Sequence, residues 1–194
     1  MSQFPRKTLA HIIVPGHVHA LTFSCYHRLP LLTKDRTRKW FLESLERACH
    51  KHEYDCLAFV IMPEHVHLVV APRGETYSIS NFLQSVKQSV SLKAKKWLVE
   101  NDPAGMKRMQ LIDGKGRIVF RFWQQGGGYD RNIVSERYLL SMIQYIHDNP
   151  VRRNLVEEPS DWTWSSAGWY QNDGRGSIFD VSPQYRAQPS RLWR

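Results

Sequence analysis

Hydrophobic and polar residues follow a regular pattern along the first two thirds of the chain. Alternation with a period of two, or a short apolar run bounded by turn residues, predicts four strands, at residues 17–26, 57–62, 65–70 and 118–123. Apolar residues spaced three and four apart, with charged residues between them, predict two helices, at residues 34–52 and 78–100. The predicted order is therefore strand, helix, strand, strand, helix, strand.

This β-α-β-β-α-β order predicts an α+β protein with a ferredoxin-like fold. Strands in that arrangement form an antiparallel sheet in which the first and third strands are neighbours. We expect the two helices to cover one face of the sheet and the other face to be open for a ligand. No internal repeat interrupts the pattern, so we expect a single domain over residues 1–176.

The remainder of the chain combines loops with one further helix. Residues 101–116 are rich in Gly, Asp and Lys, and we expect a mobile loop there. Residues 126–128, all glycine, predict a flexible joint. A third helix is predicted to begin after its N-cap, Ser135, and to end near Asn149, because a proline follows. Residues 177–194 are polar with little periodicity, which favours a disordered tail.

Composition limits the possible partners. The chain of 194 residues carries a net charge of +9, which attracts a polyanion such as nucleic acid. Its aromatic content of 12% supplies rings on which single-stranded bases can stack. No apolar run is long enough to span a membrane and no signal-peptide core is present, so we expect no membrane partner. Three scattered cysteines favour a reduced, cytoplasmic compartment.

The third predicted strand begins with two histidines, His65 and His67, on either side of Val66. Alternate residues of a strand share a face, so both imidazoles point the same way. Two neighbouring imidazoles on a rigid strand can bind a divalent metal ion. They can also be ordinary polar residues on an exposed strand face, and the residues alone leave both interpretations open.

The last predicted helix places Tyr145 and Asn149 four residues apart, on one helix face. Next to a metal ion that polarises a phosphate, a tyrosine hydroxyl can act as a nucleophile, and an asparagine oxygen can bind the metal. The alternative is that Tyr145 packs in the core and that Asn149 simply ends the helix before proline. Helix geometry alone favours that alternative.

Several segments, taken in order, resemble the REP-associated tyrosine transposases, which belong to the HUH superfamily of single-strand DNA transposases. Residues 62–70 (Met-Pro-Glu-His-Val-His-Leu-Val-Val) are similar to the HUH motif, and residues 145–151 (Tyr-Ile-His-Asp-Asn-Pro-Val) to the tyrosine helix. Three shorter pieces agree in order and spacing, namely Pro15-Gly16, Phe122-Trp123-Gln124 and Asp161-Trp162-Thr163-Trp164-Ser165-Ser166. The similarity covers roughly residues 11–170.

This resemblance implies a metal-dependent endonuclease and transposase. His65 and His67 would bind Mg²⁺ or Mn²⁺, with Asn149 as a third ligand. Tyr145 would attack a phosphate of single-stranded DNA, which produces a 5′-phosphotyrosine link and a free 3′-hydroxyl. A 3′-hydroxyl would later attack the link and rejoin DNA, without a nucleotide cofactor. The substrate would be single-stranded DNA with a hairpin, bound by a monomer or a homodimer in the bacterial nucleoid.

Basic residues of the second helix and of the region around the tyrosine helix are predicted to contact DNA phosphates. They are Lys87, Lys93, Lys95, Lys96, Arg131, Arg137, Arg152 and Arg153. For each lysine the alternative is a place on a solvated helix face.

Other assignments remain open. Tyr129, directly after the glycine run, is a rival nucleophile. His17 and His19 form a second His-x-His sequence that could approach the metal, although polar sheet surface or a DNA contact explains it better. Glu64 is interpreted as a turn residue rather than as a partner of the metal ligands. The fold and charge also suit a non-catalytic protein like an RNA recognition motif, or an HUH nickase that initiates replication.

Overall fold

The computed structural model describes residues 17–171, 173–174 and 177–179. Most of the predicted tail, and the Pro15-Gly16 pair, lie outside the described residues. The strands are β1 (Val18–Ser24), β2 (Tyr54–Ile61), β3 (His65–Pro72), β4 (Gln110–Ile112), β5 (Ile118–Phe120) and β6 (Tyr129–Ile133). The helices are α1 (Asp35–His52), α2 (Ile79–Asn101), α3 (Pro103–Arg108), α4 (Glu136–His147), α5 (Asn149–Arg152) and α6 (Ala167–Gln171). Short 3₁₀ turns occur at Tyr26–Arg28 and Pro159–Asp161.

Four strands form one antiparallel sheet in the order β2-β3-β1-β6. Together with α1 and α2, they follow the β-α-β-β-α-β order of the ferredoxin-like fold, which confirms the predicted fold class. The first and third strands are neighbours, as expected. This pairing decides which residues of β1 face the two histidines of β3.

One face of the sheet packs against α1 and α2. Leu21 and Phe23 of β1 meet Phe41 of α1 and Phe82 of α2 in a single buried cluster. Burial of each such side chain contributes about 2 kcal/mol. The predicted N-terminus of α2 is confirmed, because the Ser78 side chain accepts a hydrogen bond from the main-chain amide of Asn81.

The opposite face of the sheet is not open, as predicted, but is covered by α4. We name it the α4 face and define it by Val18, Ala20, Val60 and Val69, which pack against three apolar residues of the helix, Leu139, Ile143 and Ile146. These helix residues lie three and four positions apart and form one stripe. Both the stripe and the strand residues would otherwise be exposed to water. The prediction of an open face was wrong because the hydrophobic pattern of the third helix did not show which surface the helix packs against.

The fourth strand of the sheet is β6 and not the predicted strand at residues 118–123. Ile118–Phe120 instead pair with Gln110–Ile112, which lie in the segment predicted to be a mobile loop. Ile118 is 68% exposed, so the apolar run belongs to a surface hairpin. β6 is an edge strand paired with β1, and edge strands are often polar. Its weak hydrophobic pattern explains why the prediction missed it.

The glycine run before β6 includes a position that no other residue can fill. Gly128 has a φ of +82°, and a Cβ there would lie 2.2 Å from the carbonyl oxygen of Thr22. The backbone ahead of β6 therefore approaches β1 more closely than any side chain would permit. At Gly128 the predicted flexible joint is a tight packing contact.

Residues 162–166 attach α4 to the edge of the sheet. The Ser166 hydroxyl accepts a hydrogen bond from the main-chain amide of Phe59, at 2.9 Å, and lies 2.8 Å from Nε2 of His147 in α4. The indole of Trp162 donates to the carbonyl oxygen of Ile61, at 3.1 Å. These bonds fix the end of α4, and with it the position of Tyr145.

We expect the free energy of unfolding of the His147→Gln variant to fall less at acid pH than that of the unsubstituted protein. Burial lowers the pKa of His147 to about 4. Between about pH 6.5 and pH 4, His147 is therefore protonated in the unfolded chain and neutral in the folded chain. Stability is therefore complete above the unfolded pKa near 6.5 and falls as the pH drops towards 4, by about 3 kcal/mol for this group. Urea unfolding at pH 7.5 and at pH 4.5 measures the difference, with His50→Gln on the exposed side of α1 as the control. An equal loss of unfolding free energy between pH 7.5 and pH 4.5 in His147→Gln and in the unsubstituted protein would contradict the expectation.

Candidate active site

His65 and His67 lie on the α4 face at the beginning of β3. Antiparallel pairing places Ser24 of β1 opposite His65 and Thr22 opposite His67. The Nε2 atoms of the two histidines are 3.0 Å apart, and their rings are nearly perpendicular, at 89°. The two imidazoles therefore converge on one point, as their spacing in the strand predicted.

Each histidine is held through its other ring nitrogen. Nδ1 of His67 lies 2.7 Å from the Thr22 hydroxyl, and Nδ1 of His65 lies 3.1 Å from Oε1 of Glu64. An ionised carboxylate only accepts, so His65 carries its proton on Nδ1 and keeps a lone pair on Nε2. The Thr22 hydroxyl can accept from His67 in the same way. With a cation between them, both Nε2 lone pairs could point into the site; without one, the 3.0 Å separation also suits a hydrogen bond from Nε2 of His67 to Nε2 of His65.

This geometry fits a hard divalent cation. Neighbouring ligand atoms of an octahedral ion with bonds of about 2.1 Å lie about 3.0 Å apart, and the two Nε2 atoms have that separation, 3.0 Å. Among the described residues, no group of three His, Cys, Asp or Glu side chains comes together. Further ligands would therefore have to come from an amide oxygen, water or the phosphate itself.

Burial keeps both imidazoles neutral, which is the form that binds metal. His67 is 9% exposed, and this burial, together with the nearby His65, lowers its pKa to about 3. Burial also lowers the pKa of His65, although the neighbouring Glu64 carboxylate opposes the change. The pair does not need to lose a proton before it binds a cation at neutral pH.

Tyr145 lies on α4 beside the histidine pair. Its ring centroid is 6.0 Å from that of His67, and the guanidinium carbon of Arg152 lies 4.9 Å from the Tyr145 ring centroid. Tyr145 is 42% exposed, so it is not the core residue of the alternative interpretation. A substrate phosphate can therefore approach the Tyr145 ring from solvent.

Asn149 stands one turn beyond Tyr145, at the start of α5. Its amide nitrogen donates to the main-chain carbonyl oxygens of Tyr145, at 2.7 Å, and Ile146, at 3.4 Å. These bonds cap the last turn of α4, in agreement with the helix end predicted from the following proline. The side-chain oxygen is the atom that Asn149 can offer to a metal, and that role stays a prediction.

The rival nucleophile, Tyr129, also lies on the α4 face, opposite Thr22 in the pairing of β1 with β6. It is 43% exposed and hydrogen-bonded to Arg131. Two strand spacings, about 10 Å, separate β6 from β3. Tyr145, whose ring lies beside that of His67, is the better placed of the two tyrosines.

His19, the strand residue of the second His-x-His sequence, does not join this site. His19 of β1 points to the α1 and α2 face of the sheet, because it alternates with Ala20 of the α4 face. Its Nδ1 lies 2.8 Å from a carboxylate oxygen of Asp130, and its Nε2 lies 2.9 Å from the Tyr77 hydroxyl. His19 is part of a buried polar network that joins β1 to β6.

The predicted DNA-binding residues fall on two sides of the molecule. Arg152 and Arg153 lie at the end of the tyrosine segment, and Arg131 stacks over Tyr138 of α4 at 4.9 Å. The lysines belong to α2, which packs on the other face of the sheet. Lys87 is partly enclosed there, and burial lowers its pKa to about 8.

Two contributors to the site were missed from the sequence. Thr22 contacts His67 only through the register between β1 and β3, which residue types alone do not reveal. Burial lowers the pKa of His65 most, Glu64 opposes it, and the charges of Arg153 and then Arg28 add smaller effects in the same direction as burial. Arg28 is also one of the described non-glycine residues with positive φ, at 53°. Such strained backbone is frequent near functional sites.

Comparison with known proteins identifies the family of the chain. The family model described as "Transposase IS200 like" matches residues 13–149, which include the histidine pair and Tyr145. The chain belongs to the IS200-like transposase family. Members of this family are transposases, a class of proteins that cut and transfer DNA.

Two individual proteins are similar to this IS200-like transposase. One, from Haemophilus influenzae, is named a REP-associated tyrosine transposase and is 23% identical over 158 residues, which cover 77% of this chain and 81% of the relative. The other is a solved structure of a REP-associated tyrosine transposase bound to a REP hairpin. It matches with a TM-score of 0.62 and 20% identity, over 96% of this chain and 98% of that chain. These findings confirm the resemblance and the fold.

No helix among the described residues is both long and apolar enough to cross a bilayer.

Proposed function

We propose that this IS200-like transposase cleaves and rejoins single-stranded DNA next to a hairpin, through a 5′-phosphotyrosine link on Tyr145. The observation that carries the proposal is the placement of the Nε2 atoms of His65 and His67, 3.0 Å apart, next to the ring of the exposed Tyr145. The family match and the hairpin bound by the similar transposase support it.

His65, His67 and the side-chain oxygen of Asn149 would hold Mg²⁺ or Mn²⁺. When bound, such an ion draws electron density from a phosphate oxygen and lowers the barrier to attack at phosphorus. The buried, neutral imidazoles, oriented by their partners Thr22 and Glu64, would supply two of the six ligands of an octahedral ion.

Tyr145 supplies the nucleophile. Its hydroxyl oxygen forms a bond to phosphorus while the bond from phosphorus to the 3′-oxygen breaks. The phenol loses its proton to solvent, and the departing 3′-oxygen takes one up. Arg152, whose guanidinium lies over the Tyr145 ring, is placed to pair with the charged phosphate. Since one phosphoester replaces another, the reverse attack by a 3′-hydroxyl rejoins DNA without a nucleotide cofactor.

Arginines of the α4 side would hold the strand near the reacting phosphate, and basic residues elsewhere would hold the rest of the DNA. The complete proposed set is Lys87, Lys93, Lys95, Lys96, Arg131, Arg137, Arg152 and Arg153. Lys93 is already paired with Glu43, which reduces the charge that it can offer. We therefore expect unequal contributions from the two sides.

The Arg131→Ala/Arg152→Ala variant should bind the hairpin more weakly, and its plot of log K against log[salt] should be flatter by about 1.4, since each neutralised phosphate contributes about 0.7 on single strands. The charge-matched variant Lys95→Ala/Lys96→Ala should change the slope less, because α2 lies behind the sheet. Fluorescence anisotropy titrations at four salt concentrations measure both slopes. A larger effect of the lysine pair would place the DNA on the α2 side.

A cleavage assay tests the function as a whole. Labelled oligonucleotides with hairpins from the host's repeats, each with a single-stranded flank, are incubated with the protein and Mg²⁺ and separated on a denaturing gel. We expect a shortened strand and a protein-linked fragment, and no product from a blunt hairpin that lacks the flank. Tight binding with neither product, over the whole set of repeats, would favour the non-catalytic nucleic-acid-binding alternative.

A further inference from the structure

Glu64, which the sequence suggested was only a turn residue, has two partners on different parts of the molecule. We propose that it is a positioning residue that orients His65 and at the same time joins the histidine strand to the segment that carries Tyr145. The inference rests on the proposed function, because it assigns a role within the same site. It concerns residues of this chain that neither bind the metal nor attack the phosphate.

The first partner is His65. Oε1 of Glu64 lies 3.1 Å from Nδ1 of His65. The carboxylate is a strong acceptor, so it selects the tautomer that protonates Nδ1 and leaves the Nε2 lone pair directed at His67. A carboxylate behind a ligating histidine also makes the imidazole a stronger donor to a metal.

The second partner is Arg153, which follows directly after α5. Its guanidinium Nη1 lies 2.7 Å from the same Oε1 atom of Glu64. The two residues are 89 positions apart in the chain. This ion pair therefore connects the turn before β3 with the end of the α4–α5 segment. Tyr145 and Asn149 both lie within that segment.

Glu64 is suited to this task by its surroundings. Its side chain is 13% exposed, whereas that of Arg153 is 51% exposed. Oε1 of Glu64 therefore lies largely shielded from water between the His65 ring and the Arg153 guanidinium. The main-chain carbonyl of Glu64 also accepts from the amide of Cys25, at 2.8 Å, which holds the turn against the end of β1.

The tautomer of His65 in the metal-free protein gives the most direct test. Long-range ¹⁵N–¹H NMR spectra of the imidazole distinguish a proton on Nδ1 from one on Nε2. We expect the Nδ1–H form in the unsubstituted protein and in Glu64→Gln, whose amide oxygen still accepts. Glu64→Ala should show a mixture of tautomers. The Nδ1–H form at undiminished population in Glu64→Ala would overturn the orienting role.

Metal affinity gives a second readout that does not depend on cleavage. Titration with Mn²⁺ alone, followed by electron paramagnetic resonance, should show binding weakened by about 10- to 100-fold in Glu64→Ala, as is typical for loss of a partner behind a metal ligand. Arg153→Ala should bind Mn²⁺ almost normally, because Glu64 and His65 remain in contact. Unchanged affinity in Glu64→Ala would contradict the proposal.

The joining role is tested by a double-mutant cycle on single-turnover cleavage of the hairpin substrate. Glu64→Gln and Arg153→Ala should each slow cleavage by about tenfold, and the double variant should be no slower than either, because both remove the same ion pair. Glu157→Gln, at an exposed carboxylate four positions after Arg153, is the control for loss of one negative charge. The cycle is measured at saturating protein, so that the phosphate contact proposed above for Arg153 does not enter the rate. Additive effects on that rate would mean that Arg153 does not act through Glu64, and would overturn the joining role.

The two proposals can fail separately. If the unsubstituted protein cleaves with Mg²⁺ while Glu64→Ala keeps the Nδ1–H tautomer of His65 and its Mn²⁺ affinity, the positioning role fails and the function stands. If the unsubstituted protein does not cleave, the function fails, and the NMR measurement on metal-free protein still decides whether Glu64 orients His65.

Discussion

Tyr145→Phe should lose DNA cleavage, by on the order of 10⁴-fold or more, while the protein stays folded and still binds the hairpin. The substitution removes one hydroxyl and keeps the ring that lies beside His67 and Arg152. Because Tyr145 is 42% exposed, the change in stability should stay within about 0.5 kcal/mol. No other group of this chain is proposed to form the covalent link, so no slower route should replace it.

Tyr129→Phe is the matched control for this substitution. Tyr129 is equally exposed, at 43%, and shares the α4 face, so the two variants differ mainly in distance from the histidine pair. We expect Tyr129→Phe to keep most of the activity. The protein can also be trapped on a labelled single strand, digested, and the modified peptide located by mass spectrometry. An adduct on Tyr129, or full cleavage by Tyr145→Phe, would refute the assignment of the nucleophile.

The parts of the site that depend on local geometry could be predicted from the sequence. A strand alternates its side chains, so His65 and His67 had to share a face wherever β3 lay in the sheet. A helix repeats every 3.6 residues, so Tyr145 and Asn149 had to lie one turn apart. The start of α4 could likewise be predicted, because the Ser135 side chain accepts from the amide of Tyr138.

The parts that depend on tertiary packing could not be predicted in this way. The amphipathic pattern of α4 indicated a buried stripe but not the surface that buries it, so the histidine face was expected to be open. The contact of Thr22 with His67 depends on strand register, which can shift without any change in either strand's own pattern. Arg153 was predicted to contact phosphate, and its ion pair with Glu64 joins positions far apart in the chain.

The edge of the sheet shows how a strong local signal can mislead. Residues 118–123 have the composition of a sheet strand, and β6 does not. The structure nevertheless places Tyr129–Ile133 beside β1, where Gly128 permits close approach to Thr22. That close approach is a tertiary contact, which the local pattern of the sequence could not reveal.

A substitution of either histidine should separate binding from catalysis. His65→Ala and His67→Ala should each abolish Mg²⁺-dependent cleavage, by on the order of 10³-fold or more, while hairpin affinity changes little. The physical reason is that the two imidazoles are neutral and converge on one point, so they can hold a cation but add no charge that attracts DNA. His67→Ala also leaves the Thr22 hydroxyl without its ring partner, at a cost of about 1–3 kcal/mol.

His65→Ala is therefore the better variant for testing the metal mechanism. His65 is less buried than His67, so its loss disturbs the sheet less. Circular dichroism melts establish that the variant is folded, anisotropy titrations measure hairpin affinity, and denaturing gels measure cleavage with Mg²⁺, with Mn²⁺ and with EDTA. The unsubstituted protein in EDTA should behave like His65→Ala in Mg²⁺, because both lack the ion that activates the phosphate. Cleavage that continues undiminished in EDTA would refute the metal mechanism. It would leave Tyr145 to act with Arg152 alone, whose guanidinium already lies against its ring.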